Sequence, residues 1–161
     1  MVDFVEEIER FLASFSPEEV AVTRHAFRAV LAGRPATVAE LPAALRLRPD
    51  QVQAAVTHLV ERGIVVVEPE SGQILGARGL SLTETPHRLI LQERQFYAFC
   101  AVDAVGIPAG LAVDAWVESR CYHCRVPLTL EFRAGAVVEV PEGTVIWAVE
   151  RDLTRSLRAH T

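Results

Sequence analysis

The chain has 161 residues, a formal net charge of −5 and a hydrophobic fraction of 50%. This length allows one domain or two small ones that share a core, and the acidic balance argues against nucleic acid or anionic membranes as default partners. The first residues lack a secretory-signal pattern and no apolar run is long enough to span a bilayer, so we expect a cytoplasmic protein.

The first half of the chain predicts helices followed by a small hairpin. Ser16 before Pro17 is a typical helix start, and Thr37 and Glu40 have the spacing of a capping box. Gly33 and Gly63 are typical helix stops. Helices are predicted over residues 3–15, 17–32, 37–45 and 51–62, and short strands over 64–68 and 73–75.

Three helices and a hairpin form the order of a winged helix. In DNA-binding versions the third helix carries side chains that reach the bases, often basic ones. Here only Arg62 is basic, and residues 1–80 hold 8 Arg against 11 acidic residues, a net charge of −3. We therefore favour a winged-helix-like module at residues 1–80 that serves as a packing scaffold.

The second half of the chain, residues 81–161, predicts a sheet with one helix. A helix is predicted over residues 94–105, with an apolar stripe of Phe96, Phe99, Val102 and Val105 and a stop at residues 106–108. Strands are predicted over residues 85–91, 113–118, 127–132, 137–140 and 144–149. The predicted class is α+β: the winged-helix-like module packs on an antiparallel sheet whose helix carries Cys100 and Asp103.

Cys100 and Asp103 are the most informative pair, because three residues along a helix place a thiol and a carboxylate on one face. All three cysteines fall within 25 residues, which favours thiolate or soft-metal chemistry. An inert buried cysteine and a solvated or locally paired aspartate are the alternatives. Tyr97, one turn earlier on the predicted helix, could donate its hydroxyl to the site or be a core aromatic.

Cys121 and Cys124 have the spacing of a metal knuckle or a redox pair. A structural zinc site needs four ligands, and Cys100 with one of His87, His123 or His160 could complete one. Nothing in the sequence pairs them, so zinc is not favoured. A redox pair is disfavoured because the motif leads into a strand rather than a helix. Two thiols in a turn, without metal, are the remaining alternative.

Five segments of the second half of the chain match a known family. They are Thr85-Pro86-His87-Arg88, Arg94 to Ala104 with Pro108, Val117 to Cys121, Val126 to Leu130 and Val138 to Gly143. On these segments, over roughly residues 80–150, the chain resembles the organomercurial (alkylmercury) lyases, and the winged-helix-like part also fits the order of that family.

The resemblance implies a role for each member of the pair. Cys100 would be the thiolate that attacks mercury, and Asp103 would deliver a proton to the leaving carbon. It implies an organometallic substrate, mercury as substrate and product ion, cellular thiols as partners, and no organic cofactor. Mercury is a soft ion that prefers thiolate, and a nearby carboxylic acid can act as a general acid, so the chemistry of Cys100 and Asp103 fits these roles.

The family also has a second metal-binding cysteine, which an ungapped register places just beyond Thr161. Three expectations follow: the chain is truncated, lyase activity has been lost, or Cys121 or Cys124 supplies the second thiolate. Cys121 falls where many family members have a cysteine thought to be structural, whereas Cys124 does not match the family pattern.

The function favoured by the sequence is protonolysis of carbon–mercury bonds. The alternative is a non-catalytic, thiol-based metal-binding or metal-sensing relative on the same fold. A winged-helix transcription regulator with Cys100, Cys121 and Cys124 as its metal sensor is less favoured, because the helix over residues 51–62 offers only Arg62 as a basic side chain and residues 1–80 carry a net negative charge.

Overall fold

The structure is a computed structural model that describes residues 10–146. The strands in these residues are β1 Val65–Val67, β2 Ile74–Ala77, β3 Leu80–Ser81, β4 His87–Leu91, β5 Arg94–Ala98, β6 Ala115–Arg120, β7 Pro127–Arg133 and β8 Ala136–Glu139. These eight antiparallel strands form one sheet in the order β1-β2-β3-β5-β4-β6-β7-β8, which confirms the predicted α+β class with an antiparallel sheet. The helices are α1 Pro17–Leu31, α2 Leu41–Leu45, α3 Pro49–Glu61 and α4 Ala101–Leu111, with a 3-10 turn at Val38–Glu40.

The helical segments that begin at Pro17, Val38 and Pro49 start within two residues of the predicted positions. The Glu19 amide donates to Ser16 Oγ at 3.1 Å, and the Ser16 amide donates to Glu19 Oε2 at 2.7 Å, so α1 starts with a full capping box. The Thr37 amide donates to Glu40 Oε2 at 2.8 Å at the next helical start. Of the first predicted helix, residues 10–13 are helical and the rest lies outside the described residues.

The predicted helix over residues 94–105 is wrong in its first half. Gln92 and Glu93 both have positive φ and make a tight turn, so Arg94–Ala98 returns as β5 beside β4. The helix begins only after Cys100 and runs through the buried Pro108 to Leu111. Cross-strand pairing on both sides of β5 thus overrides an apolar spacing that also fits a helix.

Two hydrophobic clusters lie along the sheet. The first packs α1 and α3 against β1 and β2. The second packs α4 against β4, β5 and β6, and it includes Val30 of α1. Strand β3 crosses the predicted boundary at residues 80/81 and joins β2 to β5, so one sheet carries both halves.

The later strands lie close to their predicted positions. The last one, predicted over residues 144–149, lies partly outside the described residues, and residues 144–146 are not in a strand. Among the helices in residues 10–146, none is both long enough and apolar enough to cross a membrane.

Candidate active site

Cys100 is the N-cap residue of α4 and its side chain is buried, with 9% relative exposure. Its Sγ donates to Asp103 Oδ2 at 3.0 Å, so the pair meets within the first helical turn. The sequence places Cys100 in mid-helix, whereas the structure places it at the helix start in extended backbone conformation. A thiol at this position lies at the positive end of the helix dipole, which favours its thiolate.

The pKa of Cys100 is nevertheless raised. Burial is the main cause, followed by the negative charge of Asp103 and the hydrogen bond to it, while amide groups of the first helical turn act in the opposite direction. Cys100 therefore rests as a thiol whose proton already points at a carboxylate oxygen.

Gly79 packs closely against the side chain of Asp103. Arg78 and Gly79 both have positive φ and make the turn between β2 and β3, and the Phe99 amide donates to the Gly79 carbonyl at 2.8 Å. A Cβ on Gly79 would lie 2.4 Å from Cγ and from Oδ1 of Asp103. Only glycine fits both the turn and this close approach. Sequence reasoning missed Gly79, although a glycine between two short apolar segments is a signal for a tight hairpin.

His87 and Ser119 extend this polar region across the sheet. His87 lies opposite Ala98 and two residues before the buried Leu89, so its side chain is on the α4 face of the sheet. Its Nδ1 is 2.8 Å from Ser119 Oγ. Burial lowers the pKa of His87, and the charge of Asp103 acts in the opposite direction. The sequence suggests His87 only as one of three possible zinc ligands and suggests no role for Ser119.

Cys121 and Cys124 lie in the turn between β6 and β7, and strand β4 separates this turn from β5 and Cys100. Cys121 is partly exposed and Cys124 is exposed. In residues 10–146 no group of three or more His, Cys, Asp or Glu side chains could hold a metal ion. The described structure thus pairs Cys100 with Asp103 but does not gather the three thiols into one metal centre.

Tyr97 does not lie on the face predicted for it. It belongs to β5, and its neighbours Phe96 and Ala98 are buried towards α4, so Tyr97 is on the opposite face of the sheet. Its hydroxyl accepts from Gln95 Nε2 at 2.7 Å and borders an open cleft of about 330 Å³. The expectation that Tyr97 shares a helix face with Cys100 is therefore wrong.

Comparison with known proteins identifies similar chains. A family model described as alkylmercury lyase matches residues 80–160, half of the chain. Alkylmercury lyases of Streptomyces lividans and Pseudomonas putida are 33% and 35% identical over 127 and 106 residues, which cover 78% and 61% of this chain. A solved structure described as the mercury-bound form of MerB2 superposes with a TM-score of 0.86 at 29% identity, over 93% of this chain and 73% of that one.

The curated relatives are longer than this chain. The aligned parts span 57% of the Streptomyces protein and 50% of the Pseudomonas protein. The family match includes Cys100 and Asp103, and the structural likeness extends over nearly all of the chain. The chain belongs to the alkylmercury lyase family.

Proposed function

We propose that this protein cleaves carbon–mercury bonds by protonolysis, with Cys100 as the mercury-binding thiolate and Asp103 as the proton carrier. The observation that carries the proposal is the 3.0 Å contact between Cys100 Sγ and Asp103 Oδ2, in a chain of the alkylmercury lyase family. The curated relatives are named for this reaction.

The proposed reaction has two proton transfers. Mercury of R–Hg⁺ bonds to Cys100 Sγ, and the thiol proton that this bond displaces passes to the carboxylate of Asp103. A second thiolate then joins the mercury and increases electron density at its carbon. Asp103 returns the proton to that carbon, the carbon–mercury bond breaks, and R–H leaves while Hg²⁺ stays on the two sulfurs.

The raised pKa of Cys100 fits this order of events. A resting thiol loses its proton only when a soft cation replaces it, so the proton reaches Asp103 at the moment it is needed. The proposal assigns the second thiolate to a small cellular thiol. It needs a reducing, thiol-rich compartment such as the cytoplasm, and no organic cofactor.

The test is release of hydrocarbon from an alkylmercury salt in the presence of excess small thiol, measured by gas chromatography of the headspace. Wild type is expected to turn over. Cys100→Ser removes the soft ligand, and Asp103→Asn removes the proton carrier with little change of shape, so each should reduce the rate by at least about 100-fold. Asp50→Asn, which alters an exposed carboxylate on α3 paired with Arg48, is the matched control and should keep the wild-type rate.

Two outcomes would contradict the lyase proposal. Turnover by Asp103→Asn at the wild-type rate would remove the aspartate from the mechanism. Retention of Hg²⁺ through Cys100 without any hydrocarbon release would favour a non-catalytic metal-binding or metal-sensing relative.

We propose, further, that residues 1–80 form a winged-helix-like module that acts as a scaffold for the 81–161 part. Its third helix, α3, is engaged with α1: Gln51 Nε2 donates to Glu18 Oε1 at 3.1 Å, and His58 contacts the buried Glu19. These polar side chains are used within the protein and the module carries a net negative charge. Both features oppose DNA binding by α3.

A further inference from the structure

The turn between β6 and β7 brings two thiols together. The Cys121 amide donates to the Val126 carbonyl at 2.9 Å, and the Arg125 amide donates to the Cys121 carbonyl at 2.9 Å. Residues 121–125 make one helical-type turn, in which side chains three residues apart lie on the same side. The two cysteine side chains therefore face the same side of the turn, and Cys124 is the first cause of the lowered pKa of Cys121.

These thiols are chemically different from Cys100. Hydrogen bonds from the backbone and side chain of Cys124 and from the backbone of His123 lower the pKa of Cys121, and nearby Arg125 adds a smaller effect. Both sulfurs are accessible from solvent, whereas Cys100 is buried. The turn therefore offers two accessible thiols, one of which loses its proton more readily than an ordinary cysteine.

We propose that Cys121 and Cys124 form a two-thiolate site that accepts Hg²⁺ after it leaves Cys100, an inference that rests on the proposed lyase function. Thiolates select soft cations, and Hg²⁺ is satisfied by two of them in a linear arrangement. Zinc in a structural site takes four ligands, and the described residues around this turn do not supply a third from His, Cys, Asp or Glu. The donor set thus fits a soft two-coordinate ion.

The transfer is a ligand exchange that leaves every oxidation state unchanged. Two new sulfur–mercury bonds form at Cys121 and Cys124, and the bonds to Cys100 and to the small thiol break. The two thiol protons released in the turn go to the sulfurs that mercury leaves.

The position of the turn suits such an exchange. Strand β5 ends at Ala98, just before Cys100, and β6 ends at Arg120, just before Cys121, so both sites lie at the same end of the sheet. Strand β4, which begins at His87, separates them, so the lateral distance is about two strand spacings, roughly 10 Å. A small thiol can carry the ion over this distance.

The test uses inorganic Hg²⁺ and variants that lack Cys100. Cys100→Ser should retain about one Hg²⁺ per chain after gel filtration against an excess of a monothiol, measured by elemental mass spectrometry. Adding Cys124→Ser leaves one sulfur, and the affinity should fall at least tenfold. Tyr122→Phe in the Cys100→Ser background keeps both thiols and is expected to retain mercury as Cys100→Ser does. Bound Hg²⁺ should also protect both Cys121 and Cys124 from alkylation.

Two results would overturn the proposal. One is equal mercury retention with and without Cys124. The other is a Cys121–Cys124 disulfide, seen as a mass lower by two hydrogens, that persists under reducing conditions that keep Cys100 free. Hydrocarbon release does not enter this experiment, so loss of lyase activity and loss of the two-thiolate site are separately observable.

Discussion

Cys100 experiences two opposing influences. The amide groups at the start of α4 favour its thiolate, while burial and the Asp103 carboxylate favour its thiol, and the net result is a raised pKa. Such a cysteine should react slowly with general alkylating agents. In the proposed reaction it suits an ion that displaces the proton directly, because Asp103 Oδ2, the proposed proton acceptor, is 3.0 Å from its Sγ.

Gly79 allows a direct test of this arrangement. Alanine at 79 faces two penalties: a φ of +84° that L-residues rarely adopt, and a Cβ that would lie 2.4 Å from Asp103 Cγ. We expect Gly79→Ala to displace the carboxylate from Cys100 and to reduce hydrocarbon release, measured in the headspace assay. The left-handed backbone alone costs about 1–2 kcal/mol of unfolding free energy.

Gly72→Ala is the matched control. Gly72 also has a positive φ, +68°, but no atom lies within 4 Å of its would-be Cβ. The two variants should lose similar backbone stability, and only Gly79→Ala should lose activity beyond that. Equal activity in the two would argue against a role for the close approach.

At this scale the sequence reveals some of the site and hides the rest. Cys100 and Asp103 are three residues apart, so a local spacing was enough to pair them. Gly79 and His87 come from other hairpins and reach Asp103 only through strand pairing. Such long-range proximity has no local signature in a single sequence.

Among the elements, the β4–β5 hairpin differs most from its prediction, because the sequence predicts a helix where β5 lies. An apolar spacing that suits a helix also occurs in β5 and the residues after it, but the positive-φ turn at Gln92 and Glu93 brings β5 back to pair with β4. Neither is a glycine or asparagine, so the turn carried no obvious sequence signal. The capped helices α1 and α3 were predictable because their start signals are local.

Arg94, at the start of β5, links the sheet to α1. Its guanidinium donates to the carbonyls of Leu31 at 3.2 Å and Ala32 at 2.7 Å, which lie at the end of α1. We expect Arg94→Ala to reduce the free energy of unfolding by about 1 kcal/mol, because the last helical carbonyls lose a charged donor. Urea denaturation followed by circular dichroism provides the measurement.

Arg48→Ala is the comparison for that variant. The Arg48 side chain pairs with Asp50 within the same exposed segment, so its removal should change stability little. If Arg94→Ala and Arg48→Ala change the free energy of unfolding equally, the link between α1 and β5 makes no specific contribution to stability.

For the whole molecule, the central fact is that one sheet passes through both halves. Strands β1 and β2 belong to the predicted 1–80 part, and β3 connects them to β5 without a gap. Val30 of α1 is fully buried in the cluster that packs α4 on the sheet. The division into two domains at residues 80/81 stays a prediction, and the shared sheet indicates mutual dependence of the two parts.

We therefore expect a single unfolding transition. Helical circular dichroism reports mainly on α1 and α3, whereas both tryptophans lie after residue 110. The urea midpoints measured by circular dichroism and by tryptophan fluorescence should coincide. Val30→Ala should lower both midpoints by the same amount, because it reduces the free energy of unfolding by about 2 kcal/mol. Val138→Ala, at an exposed position of β8, should move neither midpoint. Two separate transitions would show that the halves fold independently.

The Arg78–Gly79 turn has a consequence for protein engineering. The family match begins at residue 80, one residue after the glycine that supports Asp103. A graft of residues 80–160 onto another scaffold would include Cys100 and Asp103 but would lack Gly79, which packs against the Asp103 carboxylate. Any transplant of this chemistry should begin no later than Ile74, so that β2 and its turn travel with the cysteine.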